Sequence, residues 1–175
     1  MANSETMMRP VPESPDRPGG VIELDAVENP AVRAGIAYWR QIRGKRRFPS
    51  RADLKPRDIP HILRNISLLR AVGGGDYEYR IVGDAHVVAH GFSMQGMRLS
   101  AIGKYAPGYD LLLKQIYDPV IKQRAAFAIK GWLLKGEKHQ QYLHTESAFL
   151  PLGPDDEHVD HVLNFSIYIP GDLKS

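Results

Sequence analysis

The chain has 175 residues, 43% hydrophobic and 25% charged, which suffices for one domain with an ordinary core and no covalent staples. It contains no cysteine, so a disulfide framework, cysteine-ligated zinc and a thiol nucleophile are excluded. The formal net charge is only +3, and the one local basic excess is Arg40, Arg43, Lys45, Arg46, Arg47 and Arg51.

No apolar run approaches the roughly 18 residues of a membrane span. The N-terminus lacks the charged-then-apolar order of a signal peptide. Residues 1–20 are rich in proline and polar side chains and read as a flexible leader, and a cytoplasmic location is expected. Asn29 and Pro30 then predict a helix start, with asparagine as cap and proline at the first helical position. Val32, Ile36, Trp39 and Arg43 fall on one stripe, and Gly44 is the natural stop. Residues 21–48 are thus an N-terminal helical segment, 49–170 the main domain and 171–175 a tail.

From Phe48 to Arg64 three prolines predict a turn and short helical turns, with Ser50 and Asp58 as caps. Ile66–Val72 and Tyr77–Val82 form a hairpin about Gly73–Asp76. Asp84 caps a short helix that Gly91 ends. The longest helix runs from Pro107 to about Arg124, with a kink or restart at Pro119. Three strands follow, Ala126–Leu134, Gln140–Leu152 and His158–Ile169, separated by turn residues. Two strands, a helical insert and a three-strand meander make an α+β domain. The expectation is a five-stranded antiparallel sheet with short helices on one face and an extra N-terminal helix.

That order, and the segment from Tyr77 to Gly96, resemble a PAS domain: a strand enters a short helix, which ends on Gly91, and a further turn ends on Gly96. The set Pro49–Pro56, Ile59-Pro60, Tyr79–Gly83 and Leu150–Asp160, following a tryptophan-bearing helix, is similar to the compact single-domain PAS family common in alphaproteobacteria. The resemblance covers about Pro30 to Ile169. It implies a non-catalytic regulatory or sensor module in signal transduction, binding a small ligand, a partner protein or both. It carries no catalytic residues and selects no cofactor. The 175 residues hold no recognisable output segment, so the signal is expected to pass to a separate protein.

Strand alternation puts Tyr79, Ile81, Phe127, Ile129, Phe149, Phe165 and Ile167 on the face toward the helices. With His90, all but Ile167 are the candidate pocket lining. Lys130 and Trp132 have the opposite parity. Together with Trp39 they are a candidate interface for a homodimer or a protein partner. The competing arrangement folds the N-terminal helix over Trp132 within one chain.

His86 and His90 share a helical face at i, i+4. The position after His86 is Val87 and not the glutamate of a zinc-protease helix, and no metal site is assigned. Asp155, Asp156, Glu157 and Asp160 lack the ligand ladder of a calcium loop and read as a solvated turn. The basic cluster complements a helix C-terminus. Aromatic residues suited to base stacking are thin there, with Phe48 nearby, so a nucleic-acid binder is the weaker alternative. A small cone-shaped α+β enzyme of dehydratase or isomerase type is the other, and the early hairpin argues against it.

Overall fold

The structure, a computed structural model, describes residues 8–14, 19–136 and 141–171. Its strands are β1 (Met8–Pro10), β2 (Gly20–Ile22), β3 (Ile66–Ala71), β4 (Tyr77–Val82), β5 (Phe127–Lys135), β6 (Gln141–Leu152) and β7 (His161–Gly171). The α-helices are α1 (Pro30–Arg43), α2 (Asp84–His90), α3 (Leu99–Ile102) and α4 (Tyr109–Lys122). One antiparallel sheet runs β1-β5-β6-β7-β3-β4, with β2 also on β5.

The five expected strands form the body of this sheet. Of the other two, β1 lies in the segment expected as a leader and β2 straddles its boundary with the segment expected to be helical. Met8–Pro10 lies opposite Lys135, Leu134 and Leu133, and Gly20–Ile22 opposite Lys130, Ile129 and Ala128. A free strand edge offers unpaired N–H and C=O groups to any extended backbone. This pairing needs no hydrophobic alternation, which is why composition alone reads these residues as loose.

Local signals act largely as expected. The Asn29 side chain accepts from the N–H groups of Ala31 (2.9 Å) and Val32 (3.3 Å) at the start of α1. Ser50 and Asp53 form a capping box. Asp58 caps nothing, because Ile59 flanks the next 3-10 turn, Pro60–Asn65, without a side-chain bond. Asp84 is the first residue of α2 and Gly83 flanks it. Helix α4 continues through Pro119 to Lys122. The last strand starts at His161, later than its apolar pattern suggests, because Asp155 Oδ1 holds the N–H groups of Glu157 and His158 (both 2.8 Å) in the preceding turn.

Helices cover both faces of the sheet. On one face α1 lays Val32, Ile36 and Trp39 against Leu150, Leu163 and Phe165. The Trp39 indole N–H donates to the Pro151 carbonyl at 2.9 Å, fixing the helix to β6. The buried Glu146 carboxylate meets the N-terminus of α1, accepting from the N–H groups of Glu28 (2.9 Å) and Asn29 (2.8 Å). Negative charge is favoured there by the helix dipole. On the other face α2, α3 and α4 pack over Leu69, Tyr77, Tyr79, Leu143, Phe149 and Val162.

Candidate functional site

Between the sheet and helices α2 and α4 lies a cavity of about 260 Å³. Its apolar wall includes Met94, Leu112, Leu113 and Ile116 from the helical side, and Ile129, Leu133 and Phe149 from the sheet. Its polar side is built on three strands: Ser67 on β3, Thr145 and Ser147 on β6, and Asn164, Ser166 and Tyr168 on β7. Pro10, Val11, Glu13, Gly19 and Gly20 complete the lining beside β5 at Lys130, Gly131 and Trp132.

The polar side chains form a connected set. Ser67 Oγ donates to Asn164 Oδ1 at 3.0 Å, while the Asn164 amide donates to the Ala148 carbonyl at 3.0 Å. Ser166 Oγ lies 2.6 Å from Ser147 Oγ and 3.0 Å from Asn164 Oδ1, and Thr145 Oγ1 lies 3.2 Å from Ser147 Oγ. Such pairing is what makes burial of polar groups tolerable.

Two histidines stand over this set. His86 Nε2 is 3.0 Å from the Asn65 carbonyl and Nδ1 is 3.1 Å from the Tyr168 hydroxyl. His90 Nδ1 is 2.8 Å from the His86 carbonyl and Nε2 is 2.8 Å from the Tyr109 hydroxyl. A carbonyl only accepts, so each ring places its one N–H on the carbonyl and accepts from a tyrosine. Burial holds His86 down to about 4 and His90 to about 3, so both are neutral at physiological pH. Burial also raises the ionisation of Tyr79, Tyr109, Tyr117 and Tyr168 above the ordinary tyrosine value. The buried histidines and tyrosines of the cavity are therefore polar but uncharged at physiological pH. All four imidazole nitrogens have protein partners, and among the described residues no cluster of three metal-ligating side chains occurs.

Of the residues proposed from sequence, Tyr79, His90, Ile129 and Phe149 line the cavity. Phe127 packs beside Phe149 with ring centroids 5.7 Å apart. Ile81, Phe165 and Ile167 lie on the opposite face, packed with α1 and its neighbours. Two register features explain the difference. Leu68 pairs with Ile81 but Leu69 pairs with Tyr79, so Arg80 is the extra residue of a β-bulge and Tyr79 and Ile81 face opposite ways. On β7, Phe165 pairs with Ala148 while Phe149 pairs with Asn164. Cross-strand partners share a face, so Phe149 and Phe165 are separated by the sheet.

The polar residues of β6 and β7 are the ones sequence reasoning passed over. Their signal is present: Thr145-Ser147 and Asn164-Ser166 occupy alternate positions, on one face of β6 and β7.

The three candidate interface residues do not form one patch. Trp39 is buried under α1. Lys130 Nζ binds the Glu28 carboxylate at 2.7 Å. Trp132 is half-buried, with its ring edge-on to His144 at 5.3 Å. Much of the basic cluster is engaged locally: Arg46 with Asp53 (2.8 Å), Arg40 with Asp25 (2.8 Å), and Arg43 over the Trp39 ring. Among the described residues no helix is long and apolar enough to cross a membrane.

Comparison with curated proteins and with solved structures gives no match. A family model described as PAS domain matches residues 27–166, taking in α1, both sides of the cavity and most of β7. The antiparallel sheet β4-β3-β7-β6-β5 with short helices between its second and third strands in chain order agrees with that match, and the chain belongs to the PAS domain family.

Proposed function

We propose that this PAS domain senses a small molecule held in the cavity and reports its presence through α1 to a separate protein. PAS domains are sensory and regulatory modules; ligand and route are our reading. The observation that carries it is a cavity of about 260 Å³ whose sheet side carries a set of buried, mutually bonded and uncharged polar side chains. Apolar packing alone would fill such a space at less cost.

The route rests on β6. Thr145 and Ser147 line the cavity, and Glu146 between them holds the N-terminus of α1 from the opposite face. A ligand that shifts Thr145 and Ser147 by a fraction of an ångström also shifts Glu146, because all three share one stretch of backbone. α1 is the natural reporter.

Native mass spectrometry of the purified protein, paired with hydrogen exchange of α1, tests this. An added small-molecule mass, with α1 amides exchanging more slowly than after its removal, is the expected result. A bound mass with no change in α1 exchange removes the route. A chain whose cavity-lining amides respond to no hydrophobic probe removes the sensor reading altogether.

A further inference from the structure

The hydrogen inventory of the cavity names the ligand's chemistry, given that the cavity is a ligand site as proposed above. Each hydroxyl carries one hydrogen. Tyr168 spends its hydrogen on His86, Tyr109 on His90 and Ser67 on Asn164. The single hydrogen of Ser166 faces two acceptors, Ser147 Oγ and Asn164 Oδ1.

One contact differs. Tyr79 and Tyr117 meet hydroxyl to hydroxyl at 2.7 Å. Two hydrogens serve this one mutual bond, so one hydrogen is left over. Thr145, Ser147 and Ser166 instead share three hydrogens among three contacts, Thr145–Ser147, Ser147–Ser166 and Ser166–Asn164, and leave none over. Both tyrosines line the cavity. Among the described residues, the charged side chains lining the cavity are Glu13 and Lys130, and Lys130 is bound to Glu28.

We infer that the cavity takes an uncharged, largely hydrocarbon molecule bearing hydrogen-bond acceptor oxygen, of the cyclic ketone type, whose oxygen meets the surplus hydrogen of the Tyr79–Tyr117 pair. A cavity of ~150 Å³ accommodates benzene, so about 260 Å³ has room for two fused rings. A carboxylate would also accept this hydrogen. Among the described lining residues it meets the like charge of Glu13 and a lysine already paired with Glu28, and burying its charge there costs more than one hydroxyl bond returns. A ligand offering only donors leaves the surplus hydrogen unbonded in a dry site.

The test is calorimetric titration of the full chain with three two-ring probes: 1-tetralone (an acceptor), tetralin (the same carbon frame without oxygen) and 1-naphthoate (charged). The ketone is expected to bind about tenfold tighter than tetralin, and naphthoate more weakly than either. Tyr117→Phe alone leaves the Tyr79 hydrogen free and should change ketone affinity by less than about threefold. Tyr79→Phe with Tyr117→Phe should bring the ketone down to the tetralin level while tetralin affinity holds. That retained tetralin binding is also the control for folding, and the wild-type ranking stands without the variants. Equal affinity for ketone and tetralin overturns the acceptor assignment but leaves the cavity as a ligand site. Tighter binding of naphthoate overturns the uncharged class. Failure of both neutral probes to bind the folded wild-type chain overturns the cavity reading, and this inference with it.

Discussion

Gly35 of α1 lies directly on the ring of Phe165 in β7: a Cβ built on the glycine would sit 2.3 Å from Phe165 Cγ. The helix backbone thus rests on an aromatic ring in the middle of the sheet. This close approach lets Val32, Ile36 and Trp39 reach the sheet from the same helix face. Gly35→Ala is expected to cost about 2–3 kcal/mol by overpacking, read as a lower urea midpoint with an unchanged slope. Phe165→Leu in the same chain should recover part of the loss, since it makes room under residue 35.

Glu146 is the second fastening of α1. Glu146→Gln retains the shape but turns one acceptor oxygen into a donor facing the Glu28 and Asn29 N–H groups. A loss of about 2 kcal/mol is expected, in the range for buried hydrogen bonds to a charged group. Amide exchange in the first turn of α1 should accelerate more than exchange in β3.

The neutral histidines impose a pH dependence with a definite sign. Their folded values lie near 4 for His86 and 3 for His90, against an ordinary 6.5. Between pH 6.5 and 4 the unfolded chain binds protons that the folded chain refuses, so stability falls as pH falls through this window. It is fully present above about pH 7. Each histidine contributes a slope of up to about 1.4 kcal/mol per pH unit. Chemical denaturation at half-unit pH steps should show it, and His90→Gln should lower the slope by about half.

Gly83 lies at the start of α2 with φ of −75°, so left-handed backbone is not its reason for being glycine. A Cβ there would meet the carbonyl oxygens of Leu63 and Arg64. Both are main-chain atoms and neither can swing away. Gly83→Ala is expected to cost about 2 kcal/mol or more, whereas Gly96→Ala, with nothing nearby, should cost only about 1 kcal/mol for its φ of 77°. Thermal melts of the two variants side by side check the ranking.

Legible in the sequence were the order of the five central strands with α1, α2 and α4, both ends of α1, the stop of α2, the hairpin of β3 and β4 and the three-strand run that closes the sheet. These rest on interactions within a few residues: the Asn29 cap, the stops at Gly44 and Gly91, and the capping box of Ser50 and Asp53. Which side of the sheet each side chain faces was decided by tertiary structure. One bulge residue at Arg80 turned Ile81 away from Tyr79, and the register of β6 on β7 put Phe165 under α1 and Asn164 beside Phe149. Parity along a strand is exact only until one residue is inserted, and register is set by pairing across many residues of chain. The same holds for the edge strands β1 and β2, whose stability comes from the backbone groups of β5 and not from their own side chains. The surplus hydrogen of the cavity exists only because two tyrosine hydroxyls 38 residues apart meet in one packed interior.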